Sequence, residues 1–285
     1  MTPLTIGPGT AAVVTGAASG IGLGITRSLA ARGARVIAVD LDASLIRDAV
    51  AELGPTVQPL ALDVRDRAGW TALAERVEKE GGLDLLVANA GVGFLSPAVQ
   101  ATPEQWDWVI DINLTGVFNA VHALLPGMLD RGLTAHVVAT ASIGGLIPAR
   151  GSVYAAAKAG VIGFMESLRV ELLGTRVGLS ILAPGLVHTN IAKGPPPPGE
   201  RAAGPDPTEL MATAFRPEEI GERVVAGVEA GEFYLLTHPE HGIYLERRFA
   251  AIRRGLPSIE IDAERARAEG SIFDNPYPSS AGGAL

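Results

Sequence analysis

Short runs of consecutive apolar residues recur along the chain, each followed by a turn and then by a stretch with helical spacing of its apolar positions. The runs read as strands at 11–15, 35–40, 57–62, 83–89, 136–141 and 178–182, with a seventh at 233–237. Most are continuously apolar rather than alternating, the pattern of parallel strands covered on both faces. Helices are expected over 22–32, 45–53, 70–80, 104–129, 153–173 and 217–230. For the fourth of these, Thr102-Pro103-Glu104-Gln105 offers an N-cap, a first-turn proline and a glutamine at the capping-box position. This alternation predicts an α/β fold. It is a doubly wound, Rossmann-type parallel sheet of about seven strands with helices on both faces, in three α/β/α layers.

One such domain accounts for residues 1–270. Two stretches break the rhythm. Residues 190–215 include Gly194-Pro195-Pro196-Pro197-Pro198-Gly199 and read as a loop. Its place after the sixth strand suits a cover over a substrate site, and a surface excursion fits its composition equally well. Residues 271–285 are rich in Pro, Ser and Gly and are expected to form an irregular tail.

Composition narrows the partners. The 285 residues are 47% hydrophobic and 19% charged, enough for a large core. The formal net charge of -8 repels phosphate backbones, so nucleic acid is not an expected partner. There is no cysteine, which excludes disulfides and thiolate chemistry. No metal site is read from the sequence. Met1–Gly9 lacks the pattern of a secretory signal, and no apolar run is expected to span a membrane. A cytoplasmic protein without membrane partners is the expectation.

The first strand runs into Thr15-Gly16-Ala17-Ala18-Ser19-Gly20-Ile21-Gly22. A glycine-rich turn opening a helix lets backbone N–H groups and the helix dipole face a pyrophosphate. Gly16 permits the turn, and Gly20 and Gly22 allow close backbone approach, with Ser19 and Ile21 in the same contact. The second strand ends in Asp40, a carboxylate placed to accept hydrogen bonds from both ribose hydroxyls of NAD. Leu41 follows, with no Arg or Lys to welcome a 2′-phosphate, so NAD is favoured over NADP. Asp63 and Val64 after the third strand are candidates for the adenine edge. Asn89-Ala90-Gly91 ends the fourth strand with small residues that leave room for a cofactor.

Tyr154 and Lys158 stand at i and i+4 on one helix face. An ammonium beside a phenol stabilises the phenolate and lowers its pKa, which fits the pair for general acid–base work on an alcohol. The Ser142 hydroxyl can hold the substrate oxygen near that phenol; capping a turn is its structural alternative. Asn113 lies mid-helix, where an amide needs partners. It can hold a water next to Lys158 or be a satisfied structural amide. Pro184-Gly185-Leu186-Val187-His188-Thr189 follows the sixth strand, and its backbone with the Thr189 hydroxyl can grip a carboxamide.

In this order the motifs resemble the short-chain dehydrogenase/reductase family, in its NAD-preferring branch. The matching positions are Thr15 to Gly22, Asp40, Asn89-Ala90-Gly91, Asn113, Ser142, Tyr154, Lys158 and Pro184 to Thr189, covering about residues 10–190. The resemblance implies a seven-stranded sheet, an Asn-Ser-Tyr-Lys tetrad of Asn113, Ser142, Tyr154 and Lys158, and a homotetramer or homodimer paired through the long helices. The segment between Ser142 and Tyr154 is one residue shorter than is usual in the family, which implies a reshaped pocket wall.

The expected function is therefore an NAD-dependent oxidoreductase interconverting a secondary alcohol and a ketone. Phe94, Gly144, Leu146, Val153 and Leu186, with Val92 and Gly93, are the expected substrate wall; being mostly apolar, it suits a hydrophobic or aromatic small molecule. Arg150 and His188 are the polar candidates beside it. A non-catalytic dinucleotide-binding regulator on the same fold is the alternative, and it would not need both Tyr154 and Lys158.

Overall fold

In the computed structural model, seven strands form one sheet in the order β3-β2-β1-β4-β5-β6-β7, with every neighbouring pair parallel. The structure describes residues 3–148, 150–189, 191, 198, 214–257, 262, 264 and 267. Most of the 190–215 loop and all of the 271–285 tail lie outside the described residues. The strands are β1 (Ala11–Thr15), β2 (Arg35–Asp40), β3 (Val57–Ala61), β4 (Leu85–Ala88), β5 (Ala135–Thr140), β6 (Val177–Ala183) and β7 (Tyr234–Leu236). The helices are α1 (Gly20–Ala31), α2 (Ala43–Val50), α3 (Arg67–Lys79), α4 (Pro103–Ile110), α5 (Gly116–Asp130), α6 (Ile143–Leu146), α7 (Ser152–Glu171), α8 (Pro217–Ala230) and α9 (Gly242–Arg254).

The apolar runs explain the layers. Successive strand residues alternate between two cores: Val13, Ile37, Val39, Leu86, Val137 and Leu179 face one, and Val14, Val36, Ala38, Val87, Val138 and Leu182 the other. Residues of α3, α5 and α7 fill the first core, and residues of α1, α2 and α8 fill the second. Both faces of the sheet are thus buried, as a parallel sheet requires. The chain leaves β1 toward β2 and β3, then returns to β4 on the other side of β1. That reversal opens a crevice at the carboxyl ends of β1 and β4.

The edges are blunted. β3 carries Pro59, which donates no amide, and β7 has three residues.

Several expected boundaries move for local reasons. β4 stops at Ala88 because the amide of Asn89 donates to the Thr15 hydroxyl (2.8 Å) instead of continuing the ladder. β7 is shorter than its expected span, beginning at Tyr234 and ending at Leu236. α3 starts at Arg67, capped by the Asp66 carboxylate, rather than at Trp70. The long helix expected over 104–129 starts with the foreseen capping box at Thr102 and Gln105, but a π-helical segment, Asp111–Thr115, divides it into α4 and α5. Contrary to expectation, the stretch Pro103–Asp130 is long and apolar enough to cross a membrane by length and composition. Half of its apolar window is buried inside the domain, where α5 covers the sheet.

Among the buried groups away from the crevice, His136 on β5 is fully enclosed. The Ser180 hydroxyl donates to the Glu232 carbonyl (2.5 Å), so it accepts from His136 Nε2–H (2.8 Å). Nδ1 is then bare, with no partner among the described residues, and protonating it puts a charge in a dry core. Burial accordingly pushes the His136 pKa down from 6.5 to about 4. The unfolded chain takes up this proton near 6.5, whereas the folded chain refuses it until about 4. The His136 contribution is complete above that window and lost as pH falls through it, by roughly 3 kcal/mol. Urea unfolding from pH 6.5 down to about 4 should show this loss, and His136→Leu should remove that component of the slope.

Candidate active site

The crevice is organised by one hydroxyl. Thr15, the last residue of β1, accepts from the amides of Asn89 (2.8 Å) and Ala90 (2.9 Å). The Asn89 side chain donates to the Thr15 carbonyl (2.9 Å) and accepts from the Thr140 hydroxyl (3.1 Å). The ends of β1, β4 and β5 are thereby held as one floor. Asn89 serves as a cross-brace between strands, and the small residues Ala90 and Gly91 follow it.

The glycine turn lies against this floor. Gly16 has φ +66°, and a Cβ there would stand 2.9 Å from the Ala90 Cα. A Cβ on Gly22 would stand 2.1 Å from the Gly16 carbonyl oxygen. A Cβ on Gly20 would meet the Thr189 side chain at 3.0 Å, so the loop after β6 closes over the start of α1. Ser19 occupies the N-cap position of α1, is exposed and makes no side-chain cap, leaving the first-turn N–H groups open to an anion. Ile21 is half-buried beside the second core.

Asp40 sits at the end of β2, accepting from the amides of Ala18 (2.9 Å) and Leu41 (2.8 Å). The helix cap of α2 is Asp42, so Asp40 is not consumed as a cap. Leu41 is exposed. The adenine-edge candidates follow β3. Asp63 is ion-paired with Arg65 (2.7 Å), and that guanidinium holds its carboxyl below the usual range against the opposing effect of burial. Val64 is packed in the first core, and its carbonyl accepts from Trp70 Nε1 and Asn119 Nδ2.

Tyr154 and Lys158 project from the first turns of α7, whose start is set by Gly151 at φ +92°. The Lys158 ammonium is buried, donates to the Thr140 carbonyl (2.8 Å) and lies 5.8 Å from the centre of the Tyr154 ring. Burial lowers its pKa from 10.5 to about 8. Ser142 stands close enough to Tyr154 to favour its ionised form, so the shortened segment between them still brings the two side chains together. Burial pushes the phenol up and the Ser142 hydroxyl pulls it down, with burial the larger. The net direction is thus upward, opposite to the lowering expected from the ammonium alone. The capping alternative expected for Ser142 is present, since its hydroxyl accepts from the Gly144 amide (3.1 Å) as the cap of α6.

Asn113 is fully buried in the π-helical segment. Its amide oxygen accepts from Val92 N (2.7 Å) and its Nδ2 donates to Val92 O (2.9 Å). The side chain is thus a satisfied structural amide. A Cβ on Gly91 would lie 2.9 Å from that oxygen and 3.4 Å from Lys158 Nζ, so Gly91, Asn113 and Lys158 share one corner.

The expected substrate wall divides. Gly144 faces Ser142 and Tyr154, and Leu186 is 42% exposed. Phe94 and Val153 are buried with Val109 and Ala157 in a small core of their own. Leu146 and Val92 are also buried. Arg150 and His188 are exposed. The sequence reading named Thr15 only as the start of the glycine motif and missed Thr140 and Ile191. Thr140 ends an apolar strand and carries no motif of its own; Ile191 accepts from the Gly93 amide through its carbonyl (3.3 Å) and is 41% exposed.

Replacing Gly22 by alanine should destabilise the fold by about 2 kcal/mol or more, because the added methyl meets backbone that cannot swing aside. Thermal unfolding checks this, and an unchanged midpoint would show that the turn relaxes.

Comparison with known proteins agrees with this architecture. The short chain dehydrogenase family model matches residues 10–197. The C alpha-dehydrogenase of Sphingobium sp. is 33% identical over 272 residues, 90% of this chain and 89% of that protein. The oxidoreductase UcpA of Escherichia coli is 32% identical over 83% of this chain and 90% of its own. A crystal structure of a short chain dehydrogenase/reductase from Burkholderia phymatum in complex with NAD superposes with a TM-score of 0.81 at 28% identity, covering 91% of this chain and all of that one. The chain belongs to the short-chain dehydrogenase/reductase family and is an oxidoreductase of that family.

Proposed function

We propose that the protein is an NAD-dependent dehydrogenase interconverting a secondary alcohol and a ketone. The observation that carries this reading is the Lys158 ammonium 5.8 Å from the centre of the Tyr154 ring, with Ser142 beside that phenol and a glycine-turn crevice next to them. A nicotinamide dinucleotide fits the residues present. The uncapped first turn of α1 offers N–H groups to its pyrophosphate, and the Asp40 carboxylate stands where a ribose would lie. When bound, the nicotinamide accepts or returns the hydride.

The chain's own groups handle the proton. Ser142 holds the substrate oxygen and orients the Tyr154 hydroxyl. In ketone reduction the phenol donates its proton to the developing alkoxide; in alcohol oxidation the phenolate takes it. Lys158 holds the neighbouring positive charge, fixed by the Thr140 carbonyl.

The exposed apolar side chains of Leu95, Leu186 and Ile191 around the crevice support a hydrophobic substrate. Similarity to a protein named for dehydrogenation at a Cα carbon supports a secondary hydroxyl. The 41% exposed Phe118 on α5, stacked on His122 (5.3 Å between ring centres) and edge-on to Phe164 of α7 (6.2 Å), supports self-association through these helices.

Tyr154→Phe should cut turnover of secondary alcohols at least about 100-fold while leaving NAD binding intact. NADH absorbance over a panel of alcohols and ketones, with NAD titration in parallel, checks both halves; undiminished turnover would remove Tyr154 from the reaction. Asp40→Ala should shift the NAD to NADP preference toward NADP by at least about tenfold, read as a ratio of kcat/KM, because a carboxylate no longer repels the 2′-phosphate.

A further inference from the structure

Beyond the residues that the family motifs point to, two imidazoles lie directly behind the loop that follows β6. A Cβ on Gly185 would meet His241 Cε1 at 2.6 Å and His238 Nδ1 at 2.8 Å, so both rings press on this glycine. His238 is 7% exposed although it follows the edge strand β7. The Gly185 amide is shared between the Thr237 hydroxyl and His238 Nδ1, each at 3.3 Å, and Thr237 lies 2.6 Å from the same nitrogen. A backbone N–H can only donate, and the Gly185 amide is aimed at Nδ1, so we assign Nδ1 as the accepting nitrogen and the ring proton to Nε2. Nε2 is buried without a hydrogen-bond partner among the described residues. Packing fixes the ring instead. Phe215 meets it edge-on (4.7 Å between centres) and His241 stacks on it (5.0 Å, 19° between planes).

The same loop is tied at its other contacts to the chemistry. The Pro184 carbonyl accepts from the Ile143 amide (3.0 Å), next to Ser142. Phe215 N donates to Leu186 O (3.1 Å) and His188 N to Phe215 O (2.9 Å), joining the two ends of the 190–213 segment. One ring thus touches the loop at Gly185 and, through Phe215, the far root of that segment.

We propose that His238 is a positioning residue for the dinucleotide site, holding the Pro184–Thr189 loop in the conformation that receives the nicotinamide end through the acceptor at Nδ1. This rests on the dinucleotide reading above, in which that loop grips the carboxamide. The ring contributes nothing to proton transfer; it acts only through Gly185 and Phe215. A buried histidine serving packing alone would use its shape, not the position of one nitrogen.

The test exploits that difference. His238→Asn places an amide group near the Nδ1 position, and His238→Gln places it near Nε2. The Gln variant should bind NAD about tenfold more weakly, the loss expected for a shared acceptor, while the Asn variant stays within about threefold of the parent. With saturating NAD and alcohol, kcat of the Gln variant should change less than the KM for NAD. Thr237→Val, which deletes only the hydroxyl between the partners, should weaken NAD in the same direction. Amide exchange over residues 184–189 of the protein without NAD should accelerate in the Gln and Val variants and not in the Asn variant. Equal NAD affinity and equal exchange in the Asn and Gln variants would overturn the proposal. If the parent itself bound no NAD, the dinucleotide reading would fail, and the exchange comparison would still judge whether His238 positions the loop.

Discussion

A lysine ammonium withdrawn from water is the constraint around which the crevice is arranged. Lys158 is buried, and its ammonium donates to a strand-end carbonyl, that of Thr140. A charge so placed is costly, and burial depresses its pKa to about 8. The surroundings supply what partial compensation there is. The Tyr154 ring lies beside the ammonium, the Asn113 oxygen borders the same corner at Gly91, and the Thr15–Asn89–Thr140 bonds keep the strand ends from shifting. The crevice therefore pairs a phenol raised by burial with an ammonium lowered by burial, each biased toward its neutral form.

The sheet was legible in the sequence because burial on both faces leaves a signature that needs no tertiary information. Val13-Val14 and Leu85-Leu86-Val87 are apolar at every step, and the structure turns alternate residues to different cores. The capping box at Thr102 and Gln105 was equally local. Tyr154, Lys158 and Ser142 were legible as a set because their spacing is imposed by one helix turn and one strand end.

What stayed hidden depends on contacts between distant segments. Phe94 reads as a pocket residue until α4 and α7 enclose it. Nothing in Asp111-Ile112-Asn113-Leu114-Thr115 announces a π-helical widening, which coincides with Asn113 bonding both backbone groups of Val92. The direction of the Tyr154 shift needed the degree of burial, which i, i+4 spacing does not contain. His238 carried no signal at all, since its partners Gly185 and Phe215 are 53 and 23 positions away in the chain.

The form of the two outermost strands governs how copies of the chain can meet. A ladder that ends in an imino acid on one side and after three residues on the other offers little template for a neighbouring strand. Cross-β recruitment, the hazard of any open parallel sheet, is thereby discouraged at both margins. Assembly is left to side-chain surfaces such as the aromatic cluster on α5 and α7, where association can be specific and can end at a closed number of subunits.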